Sequence, residues 1–340
     1  MKIIIPMAGM GKRLRPHTLT VPKPLIRIAG KTIVNRLVED IVSICNERVE
    51  EISFVVRDFG KDVECMLISV AEKMGAKGRI FHQDVPLGTA HAIMCAEESL
   101  TGKVIIAFAD TLFKAEFRLD ESKEAVIWTH KVNNPSLFGV VITDENNIIT
   151  SFAEKPQTFV SDQAIIGIYY FNDGDRLKNE IRYLIDSNFK VNGEFQLTDV
   201  LQNMMHKGCR FSTETVTEWL DCGNKEATLH THQRILEFNK NSKLIDDSFI
   251  NKNSLIIPPC YIGKNVEINN SVIGPYVSVE NDTCIRHSMI TNSIIESQSQ
   301  ISNCNIQNSM IGNNVVYRGD IDQVSIGDYT SIFRSAEPTE

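Results

Sequence analysis

From Ile262 onward, isoleucine or valine returns at positions 262, 268, 273, 279, 285, 290, 295, 301, 306, 311, 316, 321, 326 and 332. The thirteen steps between them are eight of five residues and five of six. An amphipathic helix needs a period of about 3.6 and a half-buried strand a period of 2, so neither element explains this register. Short strands that turn a corner after each apolar residue do explain it. They stack as a parallel β-helix, with one side chain pointing inward per face. At three faces per coil, the register makes between four and five coils. Gly263, Gly274, Gly312 and Gly327 each follow a register residue and read as corners that need a permissive backbone. A Ser/Asn-rich disordered tail would have no reason to keep isoleucine in register. The coil domain is expected at 256–335, after a polar connecting segment at 241–255.

Residues 1–240 follow a different rule, with short apolar runs alternating with amphipathic stretches. Lys2–Met7, Ile52–Val56, Arg79–His82 and Val104–Ala109 read as strands. Thr32–Cys45, Lys61–Met74 and Thr89–Leu100 have helical spacing and length. Continuous runs such as Ile3-Ile4-Ile5 suit parallel strands covered on both faces. The alternation predicts an α/β fold, a Rossmann-like doubly wound mixed sheet whose ligands sit at the carboxyl ends of the strands. Phe138–Thr143 and Ile148–Ala153 flank Asp144-Glu145-Asn146-Asn147, a hairpin signal.

Lys and Arg total 35 against 43 Asp and Glu, a net charge of −8. This balance argues against nucleic-acid or anionic-membrane partners, which need basic surface. No stretch approaches the roughly 18 apolar residues of a membrane span. The opening Met1–Ile5 is too short for a signal sequence before Lys12-Arg13. Eight scattered cysteines without a CxxC pair read as reduced thiols of a cytoplasmic protein. No histidine pair has metal spacing except His230/His232, which point apart on a helix, so the histidines are expected at the surface.

The segment Met7-Ala8-Gly9-Met10-Gly11-Lys12-Arg13-Leu14-Arg15-Pro16 follows the first strand. Its glycines let backbone approach a ligand closely, and Lys12 and Arg13 supply charge for phosphates. It completes neither a Walker A loop nor GxGxxG, since Pro6 and Leu14 stand where glycine is required. Pro22-Lys23-Pro24-Leu25, Gln83-Asp84-Val85-Pro86-Leu87-Gly88-Thr89-Ala90, Ala109-Asp110, Phe138-Gly139-Val140-Val141, Glu154-Lys155-Pro156, Gly193–Asp199 and Trp219-Leu220-Asp221-Cys222-Gly223 follow in order. Together these segments resemble the sugar-1-phosphate nucleotidyltransferases over residues 1–240. Members of that family often carry a left-handed β-helix after the catalytic domain. Lys12 stands where Thr or Ser is frequent and Ala109 where Gly often precedes the aspartate, and neither departure removes a catalytic charge.

The resemblance implies that a sugar 1-phosphate attacks the α-phosphorus of a nucleoside triphosphate and pyrophosphate leaves. A phosphate monoester, with its second pKa near 6, is already anionic at neutral pH and needs no general base. Bringing two polyanions together calls instead for cations and carboxylate-held metal. By resemblance, Arg13 contacts the β- and γ-phosphates, Lys23 neutralises the α-phosphate and Lys155 holds the sugar phosphate. Asp110 and Asp221 share Mg²⁺, a hard cation that accepts one or two carboxylates beside phosphate oxygens and water.

Ala8, Gly9, Gly11, Gln83 and Gly88 fall to nucleotide recognition, with Lys12 beside the phosphates and the helix start at Thr89 lending its amino end. A glutamine amide offers donor and acceptor to an imide edge, which points to UTP or dTTP, while guanylyltransferases share much of the pattern. Glu154 and Glu194 are expected on sugar hydroxyls, with Gly139 passing close to the hexose. The alternatives are a mannose-1-phosphate guanylyltransferase, a catalytically silent sugar-nucleotide-binding relative, and a bifunctional enzyme using His287 of the coil as a base. The coil itself is expected to serve homo-oligomer formation or regulation.

Overall fold

The computed structural model describes residues 1–191 and 193–319, so the register positions 321, 326 and 332 and Gly327 lie outside the described residues. The first domain is a nine-stranded mixed sheet. Its strands run Ile149–Glu154, Gly139–Thr143, Gln163–Phe171, Val104–Ala107, Lys2–Pro6, Glu51–Val56, Lys77–His82 across the main path. Ala125–Lys131 also pairs with Gln163–Phe171 and carries Phe211–Thr215 at its other edge. Lys2–Pro6 is parallel to both Glu51–Val56 and Val104–Ala107, so the strand order reverses beside it. In such sheets the crevice beyond this reversal is where ligands bind.

The apolar runs behave as doubly covered strands should. Ile3 and Ile5 join one core with Leu37, Val38 and Ile41 of α1 (Ile33–Ile44), while Ile4 joins a second core with Ile93, Val104 and Leu177. Full burial of each such side chain contributes about 1.5–3 kcal/mol. Helix starts are capped by short polar side chains: Thr32 Oγ1 accepts from Asn35 N in α1, and Asn224 Oδ1 from Ala227 N in the last helix of the domain, Lys225–Phe238. α2 spans Lys61–Lys73. The stretch expected as one helix from Thr89 to Leu100 is shorter. It runs Thr89–Met94 (α3), and a separate 3₁₀ turn covers Glu97–Ser99 because Ala96 leaves helical geometry. Ile93, Ala96 and Leu100 remain buried on the sheet, so the apolar spacing survives the break. No helix among the described residues is long and apolar enough to cross a membrane.

The second domain is a left-handed parallel β-helix with sheets of five, four and four strands. Ile268, Ile285 and Ile301 stack in one sheet, Ile273, Ile290 and Ile306 in the next, and Ile262, Val279, Ile295 and Ile311 in the third. The coil begins inside the expected connecting segment: Ile250–Lys252 and Leu255–Ile256 already pair with Glu267–Asn269 and Val272–Ile273. The register slips at its far end, where Tyr317 rather than Val316 pairs with Ile301, and Val316 is 76% exposed.

The corners also differ from expectation. Of Gly263, Gly274 and Gly312, only Gly274 has positive φ, at 108°. Asn253, Asn265, Asn270, Asn292, Asn303, Asn308 and Asn314 take the left-handed corners instead, a conformation asparagine tolerates better than most residues. They also bond between coils, as in Asn253 Nδ2 to Asn270 Oδ1 at 2.8 Å and Asn292 Nδ2 to Asn308 Oδ1 at 2.7 Å.

The two domains are docked. Tyr261 lies against Gly30, where a Cβ would come within 2.5 Å of the ring. Gly30 N donates to Glu280 Oε1 at 3.0 Å and Arg27 N to Glu296 Oε1 at 3.2 Å. From Lys225–Phe238, Glu237 Oε1 accepts from the Tyr276 hydroxyl at 2.6 Å, and His232 Nε2 meets Ser278 Oγ at 2.7 Å. His232 is therefore not at the surface: it is fully buried, and its pKa falls to about 3 because burial disfavours the charged ring. All eight cysteines are free.

Candidate active site

A cavity of about 390 Å³ opens at the carboxyl ends of Lys2–Pro6 and Val104–Ala107. Of the expected site residues it is lined by Ala8, Gly9, Gly11, Lys12, Arg13, Lys23, Gln83, Gly88, Thr89, Asp110 and Glu194. Residues from five separated segments thus converge on one crevice. Arg57 also lines it. Its signal was available, because Arg57 directly follows the strand Glu51–Val56 and so shares the ligand-facing edge.

The loop after the first strand is folded by local constraints. Gly11 has φ 58°, and a Cβ there would approach Thr18 Cγ2 to 2.9 Å and Lys23 Cβ to 3.1 Å. Thr18 Oγ1 donates to Gly11 O at 2.8 Å, closing the loop. Leu14 anchors it in the core at 1% exposure, while Lys12 and Arg13 just before it stay exposed and line the cavity. Lys12, Arg13, Lys23 and Arg57 put four cations around this space in a chain whose net charge is −8.

Lys23 is buried, and its Nζ meets Asp110 Oδ2 at 2.9 Å. Asp221 is brought alongside by the ribbon in which Glu218–Asp221 runs antiparallel to Thr111–Lys114, with Cys222 N donating to Asp110 O at 2.9 Å. Burial, followed by the neighbouring Asp110 charge, raises the Asp221 pKa, while Lys23, the Gly223 N–H and Arg13 pull it down. Two carboxylates held together against their mutual repulsion, with the buried Lys23 ammonium bonded to one of them, make a donor set that suits a hard divalent ion. Among the described residues, no third His, Cys, Asp or Glu joins them.

Thr89 and Gly88 sit at the start of α3, but its amino end is partly committed. Ala90 N donates to Phe195 O, and Leu197 N donates to Thr89 Oγ1, both at 3.0 Å. Gly139, Glu154 and Lys155 do not line the cavity; they cluster on the adjacent hairpin. A Cβ on Gly139 would lie 2.9 Å from Glu154 Oε2, and Lys155 Nζ is 3.8 Å from Glu154 Oε1. Phe138 ties this hairpin to the Asp221 strand through an edge-on contact with Trp219, ring centres 4.8 Å apart. His287 is an exposed corner of the coil with φ 48°.

Comparison with known proteins follows the same lines. The Nucleotidyl transferase family model matches residues 2–237. The catalytic subunit beta of mannose-1-phosphate guanylyltransferase from Drosophila melanogaster is 35% identical over 181 residues, covering 50% of this chain and 48% of its own. The chain thus aligns to about half the length of such relatives. Glucose-1-phosphate thymidylyltransferase from Streptomyces antibioticus is 26% identical over 362 residues, covering 98% of this chain and 99% of its own. The solved nucleoside-diphosphate-sugar pyrophosphorylase from Vibrio cholerae RC9 superposes with a TM-score of 0.58 at 18% identity, covering 68% of this chain and 99% of that one.

Proposed function

Because the chain belongs to the nucleotidyl transferase family, we propose that it joins a nucleoside triphosphate to a sugar 1-phosphate, releasing pyrophosphate and an NDP-sugar. The observation that carries this reading is the convergence of Lys12, Arg13, Lys23 and Arg57 on a cavity lined also by Asp110, with Asp221, outside that lining, close enough for the two carboxylate charges to interact. Cations preorganised where phosphate charge develops are the expected machinery for a nucleophile that needs no deprotonation. Arg13 stabilises the departing pyrophosphate, and Lys23, held by Asp110, neutralises the α-phosphate. Lys155, standing outside the cavity on the hairpin, receives the sugar phosphate, with Glu154, Glu194 and Gly139 facing the hexose. Asp110 and Asp221 are the residues that would hold Mg²⁺, which when bound supplies charge neutralisation at phosphate oxygens.

UTP or dTTP is the nucleotide of this reading. GTP with mannose 1-phosphate is the second, favoured by the identity to the fly guanylyltransferase subunit. The reading also takes the protein as a cytoplasmic homo-oligomer. The eight free thiols support the first property, and the outward row Leu255, Val272 and Met289 on one coil face supports the second. Pyrophosphate release, assayed with a panel of nucleoside triphosphates against sugar 1-phosphates in Mg²⁺, tests the activity. Release requiring both substrates is expected. Tight nucleotide binding without release for any pair would instead favour the silent relative.

A further inference from the structure

Among the described residues Gln83 carries the only side-chain amide in the cavity lining, and its polarity is set with the help of a neighbour outside that lining. The Gln83 backbone is fixed at the end of Lys77–His82, where its N–H donates to Val56 O at 2.8 Å. Its side chain is buried, with Nε2 3.3 Å from Gly88 O and 3.1 Å from His91 Nδ1. A carbonyl oxygen only accepts, so the atom facing Gly88 O must be the amide nitrogen. Both acceptors ride on the start of α3. Gly88 packs closely there and admits no side chain: at φ 113°, a Cβ would fall 2.5 Å from Phe195 O and 2.7 Å from Phe195 N. The Gly88 carbonyl also accepts from Ala92 N at 3.1 Å. Burial lowers the His91 pKa, which keeps its ring neutral and Nδ1 available as an acceptor when Nε2 holds the proton.

Both N–H bonds of the amide are thereby spent. Oε1 remains, and among the described residues no donor is bonded to it. The pocket therefore offers a base an acceptor at this point and no donor. Uracil and thymine carry a ring N–H at N3, and guanine carries one at N1. Cytosine and adenine present a ring nitrogen lone pair at the corresponding positions.

We propose that His91 is a positioning residue that locks the Gln83 amide with its oxygen toward the nucleobase, so that the site takes bases with a ring N–H and rejects cytosine and adenine. The proposal deepens the transferase reading and rests on it only in taking the cavity to bind a nucleoside triphosphate. With His91 gone, one amide hydrogen loses its partner and the amide is free to turn. Discrimination should then fall by about tenfold or more, the scale of one unmatched buried polar contact.

The test compares wild type, His91→Leu, His91→Asn and Gln83→Leu. Dissociation constants for UTP, dTTP, GTP, CTP and ATP are measured with Mg²⁺, alongside KM and kcat with the sugar 1-phosphate. Wild type is expected to bind at least one of UTP, dTTP and GTP far better than CTP and ATP. His91→Leu should shrink that ratio through the nucleotide KM, leaving kcat and the sugar 1-phosphate KM within about twofold. His91→Asn should restore it, since the Asn Oδ1 reaches the place of Nδ1 and accepts from Nε2. A ratio unchanged in His91→Leu while Gln83→Leu abolishes it would overturn the proposal, as would failure of His91→Asn to rescue. Wild type that binds CTP or ATP as well as the others overturns it while leaving the transferase reading intact. A binding preference that behaves as described in a protein releasing no pyrophosphate upholds it and sinks the transferase reading.

Discussion

Replacing Glu296 with glutamine should stabilise the protein above neutral pH and leave it nearly unchanged in mild acid. Glu296 and Glu280 stand one coil apart, following the register partners Ile295 and Val279. Both carboxyls are buried, and both accept backbone N–H groups from the Arg27–Gly30 turn. The Arg27 charge acts on both carboxyls, and the Arg36 charge acts on Glu280 as well. Burial first, and the Glu280 charge second, push the Glu296 carboxyl from an ordinary 4.5 up to about 7. The folded protein therefore holds this proton more tightly than the unfolded chain does. The resulting stabilisation is complete below about pH 4.5 and is lost as pH rises through 7. At about 1.4 kcal/mol per pH unit, the loss is about 3 kcal/mol. Glutamine keeps an oxygen for Arg27 N and carries no charge. The Gln variant should thus match wild type at about pH 4 and exceed it by about 3 kcal/mol at about pH 8.5, on the order of 5 °C in melting temperature. Thermal unfolding of both proteins at the two pH values decides it. A variant less stable than wild type at pH 8.5, or a difference that does not change with pH, would refute the reasoning.

Arg13→Ala should lower kcat by about two orders of magnitude with little change in sugar 1-phosphate binding; near-normal turnover in a steady-state assay would return Arg13 to the role of a solvated loop residue. Asp110→Asn and Asp221→Asn should each weaken divalent-cation-dependent turnover while the melting temperature holds, and native activity that persists in EDTA would rule out the two-aspartate metal site. Removing the coil after residue 255 should leave an unstable product, since Ile250–Lys252 loses its partner strand and His232 loses Ser278. A truncated protein with an unchanged unfolding profile would show that the docked face contributes nothing.

The parts legible in the sequence are those where one local rule acts alone. The coil register is one, because an inward position tolerates little besides isoleucine or valine. Its last described turn shows the limit: Val316 keeps the five-residue step, yet Tyr317 stands in register with Ile301, and both residues are exposed. Corner chemistry was misread because glycine is only one way to reach a left-handed corner, and here asparagine takes most of them while also bonding to the coil beside it. Asp110 and Asp221, far apart in the chain, could be paired only through family resemblance, since their meeting depends on the ribbon between Thr111–Lys114 and Glu218–Asp221. His232 looked like a surface residue because a partner of its ring, Ser278, lies in the second domain, far along the chain.

The same dependence explains why the coil bears on the loop after the first strand although none of its described residues lines the cavity. The turn Arg27–Gly30 begins four residues after Lys23. Arg36 of α1 holds it from one side through the carbonyls of Ile28 and Ala29, and Glu280 and Glu296 hold it from the other through the N–H groups of Gly30 and Arg27. A loop that must place buried Lys23 against Asp110 to within hydrogen-bond distance gains from having its exit fixed on both sides. Ionisation of the two glutamates strains that exit without touching a catalytic group. The pH dependence predicted for stability should therefore be visible in the Glu296→Gln variant as a difference in unfolding and, at saturating substrate, as little difference in kcat. A kcat that rose with the variant at pH 8.5 would mean that the exit of the loop, and not the cations it carries, limits turnover.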